Sequence, residues 1–444
     1  MAEAGPCAQP VAPALNTPSR QDAGLAQSRY ACEWSVPPTS ALSETSQAPD
    51  AGVMPGGGDP AAASPSSGWL QQSVLLDTAR ALATFMMLQG HTLDAVLAPA
   101  LKTGPLFDGW TFMRGLTSCA FLFLSGFVFV FVTDRRVGRR GGALAAADRR
   151  LRRFAFFLLL GYALHLPVEK LELLPAMNDG QWRLLLSADV LQCVAVMLTL
   201  LQGLALAVRG TRTRAALAAV LAVVLVAGTP AVWRVEWPAY LPLTVAAYFS
   251  PATGSVFPLF PWGGFVLLGA VAAHLHARFT GHVAPESLRA FARQALLPAG
   301  AALVVASEVG WRLPWWPFGP TAFWFDSPSL FCLRAGLVLM LVGLLALAVP
   351  RLHRTPYVIQ AVARQSLLVY AVHLCLVYGS IWNPGLKQYF PNGLSLVPAF
   401  GAVAAIWAAM TVLASVWHWC RHHYPGPAWW VRAATGVILF GMLI

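Results

Sequence analysis

Long apolar segments, separated by short polar connections, recur along most of this chain. About eleven of them approach the length of about 20 residues that a helix needs to cross a bilayer. Their approximate bounds are 74–98, 113–133, 154–168, 187–208, 214–233, 257–277, 289–307, 328–349, 359–381, 394–419 and 427–444. The pattern predicts an all-α fold: a polytopic membrane protein built as a bundle of about 11 transmembrane helices.

Residues 1–70 differ from the rest because they are rich in Ala, Pro, Ser and Gly and have few large apolar side chains. Such a segment cannot bury enough surface to offset its ordering entropy. It also lacks the charged start and apolar run of a signal peptide. We therefore predict two parts, a disordered cytoplasmic tail over 1–70 and a transmembrane domain over 71–444.

The first span, 75–97, stands out because ionisable side chains lie along one face of the helix. They fall within an arc of roughly 100° at about 100° per residue. They are Asp77, Arg80, His91 and Asp94. A charge in mid-bilayer costs at least about 3 kcal/mol, so this face must meet a protein interior or a wet cavity. The stripe therefore predicts a functional site.

The spacing of Arg80 and His91 sharpens this prediction. Almost three turns separate them, which places the two side chains on one face about 16 Å apart along the axis. A cation near one surface and an imidazole deeper in the membrane could hold the two ends of a long molecule with an anionic head. Arg80 could instead pair with Asp77, and His91 could simply hydrogen-bond a neighbouring helix.

The formal net charge of +11 reflects topology. Arginines crowd the connection between the second and third spans, which the positive-inside rule makes cytoplasmic. Alternate connections then hold arginine clusters inside and mostly single basic residues outside. We predict a cytoplasmic N-terminus, an outside C-terminus and no nucleic-acid partner. The seven cysteines show no paired metal-ligand spacing and lie mostly inside spans, so we expect no disulfide framework. We also expect no metal and no bound cofactor.

Polar residues in the second span suggest another wall of the same cavity. Arg114, Ser118 and Ser125 share one face, and Gly115 and Gly126 would let another helix approach closely. The alternative is that the glycines serve packing alone and that Arg114 extends to the interface.

Further polar groups lie near the predicted outer surface. His165 ends the third span, and Asp189 and Gln192 begin the fourth. Asp189 could hold an acceptor hydroxyl or simply favour the positive end of a helix dipole.

Two ionisable residues occupy later spans. Arg334 lies a couple of turns inside the eighth span, where an unpaired cation is expensive, and Glu308 and Asp326 are candidate partners. His373 lies on a polar edge of the ninth span. A lone histidine there is usually structural, but a cavity that contains His91 makes His373 a candidate for function.

The chain resembles the transmembrane acyltransferase superfamily. The pattern L-D-x-x-R-x-x-A-x-x-x-M-x-x-x-H, which ends at His91, is similar to the superfamily's first helix. Ala81 departs from it, because relatives commonly have Gly there. The segments GLTSCAFLFLSGF, GYALHLP, DVLQCVAVML, FPLFPWGGF and RQSLLVYAVH are similar, in order, to bacterial heparan-α-glucosaminide N-acetyltransferase-like proteins, so the resemblance runs from about residue 74 to 385.

The resemblance implies an acyl-CoA-dependent transmembrane acyltransferase (EC 2.3.1 type) of a bacterial-type inner (plasma) membrane. Such an enzyme moves an acyl group, usually acetyl, from cytosolic acyl-CoA to a hydroxyl or amine of a glycan or lipid-linked acceptor on the outer side. His91 would act as general base or transient acyl carrier.

The site residues that we expect fall into three groups. They are His91 and His373 for catalysis, Asp77, Arg80 and Ser125 for the donor, and Asp94, Arg114, His165, Asp189, Gln192 and Arg334 for the acceptor side.

The alternative from another class is a multi-span transporter or flippase whose midplane charges line a substrate path. The sequence has no visible inverted repeat and no matching pair of interrupted helices, which disfavours it. The acceptor, the acyl chain and a homo-oligomeric state are left open.

Overall fold

The computed structural model describes residues 66–134, 143–279, 284–313, 321–349 and 355–424, together with 426–427 and 430–431. Within these ranges the chain has no β-strand, only two isolated bridges. Its α-helices are α1 (Ser66–Val96), α2 (Pro105–Asp134), α3 (Ala143–Leu164), α4 (Asp179–Leu186), α5 (Val190–Ala207), α6 (Thr211–Ala227), α7 (Thr229–Trp233), α8 (Leu243–Ala246), α9 (Leu259–His276), α10 (Ala284–Phe291), α11 (Leu297–Arg312), α12 (Pro328–Ala348), α13 (Tyr357–Arg364), α14 (Ser366–Tyr378), α15 (Leu386–Tyr389) and α16 (Leu396–His423). The predicted all-α class is confirmed. The predicted tail lies outside the described residues except for 66–70.

Six helical segments of the described chain are long and apolar enough to cross a membrane. They are α2, α5, α9, the continuous segment from α10 to α11, α12 and α16. Helices α13 and α14 make a seventh if they are one span, bent by 75° at their junction. Helices α1 and α3 carry too many polar residues to qualify, and α6 has only 17 residues. A multi-pass membrane protein is confirmed, while the number eleven stays a prediction because 427–444 lies almost entirely outside the described residues.

Glycines bring two of the spans into backbone contact. A Cβ atom on Gly126 of α2 would lie 1.8 Å from the carbonyl oxygen of Val266, and one on Gly269 of α9 would lie 1.9 Å from that of Phe123. No side chain fits between the helices at either point. The sequence prediction that Gly126 permits a close approach is therefore confirmed.

Helix α1 packs against α2, α13, α14 and α16, and its polar face is covered by protein. Asp77, Arg80 and His91 are 4%, 2% and 4% exposed, whereas Leu82 on the other side is 37% exposed. The prediction that the stripe faces a protein interior is thus confirmed. The stripe ends where the C-terminal ends of α1 and α14 meet the N-terminal ends of α2, α9 and α12. This end of the bundle is the one that the arginine distribution predicts to face outside.

Candidate active site

A cavity of about 290 Å³ lies beside the last turns of α1. Its wall combines an imidazole, hydroxyl groups, two guanidinium groups and aromatic rings. The wall includes His91, Arg114, Ser118, Phe257, Trp262 and Arg334. Ligand pockets usually measure about 300–1,000 Å³, so this one has room for a single sugar ring or a group of similar size.

Tyr378, at the end of α14, holds the ring of His91 in place. Its hydroxyl oxygen lies 3.1 Å from His91 Nδ1 and 3.3 Å from Asp94 Oδ2. The two rings are nearly perpendicular, with centroids 5.6 Å apart. A neutral imidazole that donates from Nδ1 to a hydroxyl keeps Nε2 as its basic nitrogen. The contact therefore suits a histidine whose second nitrogen takes up a proton.

Asp94 continues this line of contacts to Arg114. The guanidinium of Arg114 lies 3.0 Å from the Asp94 carboxylate and 5.1 Å above the ring of Trp110. The aliphatic part of Arg114 crosses Gly90, where a Cβ atom would lie 2.7 Å from its Cγ. Arg114 is therefore fixed at three points. The predicted assignment of Asp94 and Arg114 to one site agrees with this contact, although their role stays a prediction.

Lys102 adds a further positive charge beside Asp94. Its ammonium group donates a hydrogen bond of 2.5 Å to the backbone carbonyl of Asp94. Burial lowers the pKa of Lys102 from its ordinary value, while the Asp94 carboxylate acts in the opposite direction and Lys387 and Arg114 add to the lowering. Lys102, Arg114 and Lys387 therefore lie close enough to influence one another around Asp94.

Arg334 supplies the second guanidinium of the cavity wall. It lies 5.8 Å from the centre of the Trp262 ring, and its Nη2 would be 3.5 Å from a Cβ atom at Gly115. Gly115 therefore leaves room for the Arg334 side chain in the wall. The sequence prediction that Gly115 lets another helix approach closely was wrong, because no backbone atom of another helix lies near it.

The sequence-based partners of Arg334 have other contacts. Glu308 forms an ion pair with Arg312, and Asp326 accepts a hydrogen bond of 2.7 Å from a backbone N–H in its own turn. Among the described residues, no carboxylate lies within 4.0 Å of the Arg334 guanidinium. The expectation that Glu308 or Asp326 neutralises it was wrong.

His373 lies behind His91. The ring centroids are 5.4 Å apart, but His373 is fully buried and does not line the cavity. Its Nδ1 is 2.9 Å from the carbonyl of Val369, so this nitrogen donates. His373 packs against the back of the His91 ring, and its catalytic role stays a prediction.

The three donor-side candidates lie away from the cavity. Asp77 forms an ion pair of 3.5 Å with Arg364 of α13. Ser125 donates 2.8 Å within its own helix to the carbonyl of Phe121. Arg80 is one of the largest buried side chains of the chain. Their role in donor binding stays a prediction.

His165, Asp189 and Gln192 gather into one buried cluster. His165 Nε2 lies 3.2 Å from Asp189, whose other carboxylate oxygen accepts 2.7 Å from the first N–H of α5. Gln192 donates 3.5 Å to the carbonyl of Ser187. None of the three lines the cavity, so direct contact with an acceptor is not supported by this arrangement. The helix-start explanation of Asp189 agrees with its hydrogen bond.

This cluster supports the cavity wall from behind. The carbonyl of Ala188, next to Asp189, accepts hydrogen bonds of 3.1 and 2.9 Å from the backbone N–H groups of Val256 and Phe257. Both of these residues line the cavity. The cluster therefore contributes to the shape of the site.

Sequence reasoning missed Tyr378 and Trp262. Tyr378 follows His373 by five residues, which is about 140° around the helix. It therefore lies outside the polar edge on which the sequence places His373. Trp262 stood in an apolar stretch. No group of three or more His, Cys, Asp or Glu residues in the described chain is placed to hold a metal ion.

A family model matches this chain. The model described as heparan-alpha-glucosaminide N-acetyltransferase, catalytic, covers residues 73–302, about half of the chain. His91 and Arg114 lie within the match, and Arg334, His373 and Tyr378 lie beyond it. No curated protein sequence matches the chain. The chain therefore belongs to the heparan-α-glucosaminide N-acetyltransferase catalytic family and is a membrane-embedded acetyltransferase.

Proposed function

We propose that the protein moves an acetyl group from acetyl-CoA, or a related acyl group from its acyl-CoA, to an amine or hydroxyl of a glycan or lipid-linked acceptor. The donor enters from the cytosol and the acceptor from the outer side. The observation that carries the proposal is the position of His91, which lines the cavity while Tyr378, itself hydrogen-bonded to Asp94, contacts its ring. The family membership supplies the reaction class.

His91 would act as a general base. The acceptor nitrogen or oxygen attacks the thioester carbonyl and gives its proton to His91 Nε2. The C–S bond then breaks, and the proton passes to the leaving thiolate of coenzyme A. Tyr378 suits this role because its hydroxyl can accept from Nδ1–H while it donates to Asp94. A carboxylate behind the relay favours the imidazolium that forms.

A transient acyl-imidazole is the second route through the same ring. The nucleophilic nitrogen attacks the thioester first, coenzyme A leaves, and the acceptor then takes the acyl group. Brief exposure to labelled acetyl-CoA without acceptor separates the two routes. Label on His91 after rapid quenching supports the intermediate, and its absence supports direct transfer.

Arg80 is our candidate for the phosphate groups of the donor. A guanidinium binds phosphate through paired hydrogen bonds, and Arg80 lies on the same helix as His91, about 16 Å away along the axis. Since its side chain is 2% exposed, donor binding requires the helices around it to separate. Asp77 and Arg364 form the adjacent ion pair that this separation would disturb.

The test is acetyl transfer by purified protein in lipid nanodiscs, with labelled acetyl-CoA as donor and glucosamine as the probe acceptor. A general base is typically worth about 100- to 10,000-fold in rate, so we expect a loss of that size in His91→Ala, His91→Gln and His91→Asn. His373→Ala should keep partial activity. His422→Gln, at an exposed position of α16, is the control and should match the wild type.

Binding of coenzyme A should remain in all His91 variants, which shows that they are folded. An amide can replace the hydrogen bonds of an imidazole but cannot act as a base. Near-normal transfer by His91→Gln would therefore remove His91 from the mechanism and direct the search to His373. The transporter alternative would be favoured if the protein transferred no label from the donor to any acceptor but moved a substrate across the membrane of vesicles.

A further inference from the structure

We propose that His165 is a positioning residue for the acceptor. Its imidazole fixes Ala188, and Ala188 fixes part of the backbone of the cavity wall. His165 itself does not line the cavity. The inference rests on the proposed function, because it assigns an indirect role in acceptor binding at the same site. It gives His165 and its partner Asp189 a task other than direct contact with the acceptor.

The stretch of wall that precedes α9 depends on a distant part of the chain for its position. It follows a single turn, Pro251–Thr253, and Gly254 in it has a positive φ of 96°. The N–H groups of Val256 and Phe257 both donate to the carbonyl of Ala188, which is 3.1 and 2.9 Å away. Since both residues line the cavity, the position of Ala188 sets the position of this part of the wall.

Ala188 uses both of its backbone groups on this stretch. Besides the two bonds to its carbonyl, its N–H donates to the hydroxyl of Ser255, 2.9 Å away. That hydroxyl lies 3.2 Å from the hydroxyl of Thr253. Ala188 is fully buried, and its methyl group can make no hydrogen bond of its own. Its position therefore depends on its two neighbours along the chain.

The ring of His165 joins these two neighbours of Ala188. His165 Nε2 donates to the Asp189 carboxylate, 3.2 Å away, and His165 Nδ1 lies 3.4 Å from the hydroxyl of Ser187. The Ser187 hydroxyl also donates to the carbonyl of Leu184, 2.8 Å away. His165, Ser187 and Asp189 are all buried. Removal of the ring would thus leave buried polar groups without a partner on both sides of Ala188.

The ends of α3 and α5 interlock beside the ring. A Cβ atom on Gly161 of α3 would lie 2.6 Å from the side-chain amide of Gln192 of α5, so this amide fills the space that the glycine leaves. Gln192 is fully buried. The end of α3, which leads into His165, is therefore packed against the start of α5, which follows Asp189. The ring has a rigid base from which it can hold Ala188.

A displaced wall should weaken binding of the acceptor and spare the donor. A misplacement of about 1 Å at a binding site can cost about 100-fold. We therefore expect His165→Ala to raise KM for the acceptor about 10- to 100-fold, with kcat at saturation reduced less than about threefold. Coenzyme A affinity should equal that of the wild type, because the proposed donor path approaches His91 from the opposite end of the bundle.

The first experiment compares three substitutions of His165 by labelled acetyl transfer to glucosamine in nanodiscs. Alanine removes both contacts of the ring. Glutamine places an amide nitrogen near the position of Nε2 and can keep the contact with Asp189, whereas asparagine places one near Nδ1 and can keep the contact with Ser187. We expect glutamine to restore more of the acceptor KM, because a hydrogen bond to a carboxylate is the stronger one. These two variants keep the test decisive if the alanine variant does not fold.

Asp189→Asn and Asp179→Asn form a matched pair. Each removes one negative charge at the start of a helix, but Asp179 is exposed on α4 and does not line the cavity. Asp189→Asn should raise the acceptor KM, and Asp179→Asn should match the wild type. A merely structural role of His165 would lower the thermal midpoint and the amount of active protein but would leave the acceptor KM of the folded molecules unchanged.

Hydrogen exchange reports on the wall without any acceptor. The N–H groups of Val256 and Phe257 are protected by their bonds to Ala188. In His165→Ala, exchange of the peptide 250–258 should become at least about tenfold faster, because these bonds open more often. Exchange in 266–276, on the part of α9 that packs against α2, should stay that of the wild type.

Three results would overturn the proposal. They are an unchanged acceptor KM in His165→Ala, unchanged exchange at the wall, and an equal loss of coenzyme A affinity, which would indicate general damage to the fold. The proposed function is tested separately. A wild type that acetylates glucosamine, with the same KM in His165→Ala, keeps the function and rejects the positioning role. A wild type that binds glucosamine but transfers no acetyl rejects the function, and weaker glucosamine binding with faster wall exchange in His165→Ala would still support the positioning role.

Discussion

Replacing Tyr378 by phenylalanine removes one hydroxyl from the site and keeps the ring. That hydroxyl lies 3.1 Å from His91 Nδ1 and 3.3 Å from Asp94 Oδ2. Asp94 retains its ion pair with Arg114, so the loss falls mainly on the imidazole. A buried polar group left without its partner costs about 1–3 kcal/mol. If the cost appears in the transition state, kcat/KM should fall about 5- to 150-fold, at about 1.4 kcal/mol for each factor of ten.

The loss should appear in kcat, with KM for donor and acceptor nearly unchanged, because Tyr378 does not line the cavity. The assay is labelled acetyl transfer under saturating donor. Tyr389→Phe is the control, since Tyr389 lies at the same end of the bundle and is 65% exposed. It makes the same chemical change away from the site and should have no effect.

A double-mutant cycle tests whether Tyr378 and Asp94 act through one histidine. Tyr378→Phe and Asp94→Asn interrupt the same line of contacts, so the double variant should lose less than the product of the two single losses. Independent, multiplicative losses would contradict the relay. A kcat of Tyr378→Phe equal to that of the wild type, in protein that still binds coenzyme A, would refute the reasoning altogether.

Three further predictions follow from other parts of the chain. Arg80→Ala should weaken coenzyme A binding about tenfold or more, and Arg80→Lys should weaken it by less. Equal affinity of the wild type and the alanine variant would reject Arg80 as a donor ligand. Gly126→Ala should lower the thermal midpoint of purified protein, since its Cβ would lie 1.8 Å from a carbonyl oxygen of α9, whereas Gly203→Ala, with nothing within 4 Å, should not. A cysteine that replaces Gly210 should react with an impermeant thiol reagent only from the cytoplasm, and a cysteine that replaces Tyr389 should react only from outside. The reverse pattern would invert the proposed direction of transfer.

The helical class and the burial of the polar face of α1 were readable from the sequence. A span of about 20 apolar residues has few alternatives to a helix in lipid, because every backbone group must be hydrogen-bonded internally. The polar face of α1 predicted a protein interior for the same reason, and Asp77, Arg80 and His91 are indeed buried. The role of Gly126 was also predictable, since a glycine within an apolar helix is suited to close packing.

The partners of these side chains were decided by tertiary structure alone. His91 and Tyr378 are 287 residues apart, and Arg334 lies over Trp262 and not beside Glu308 or Asp326. Periodicity identifies which face of a helix is polar but not which helix covers it. In lipid, apolar side chains are equally well solvated by neighbours and by acyl chains, so hydrophobicity does not orient one span against another. The rotation and pairing of the helices depend on steric fit and polar contacts between distant segments, and only the folded bundle brings these together.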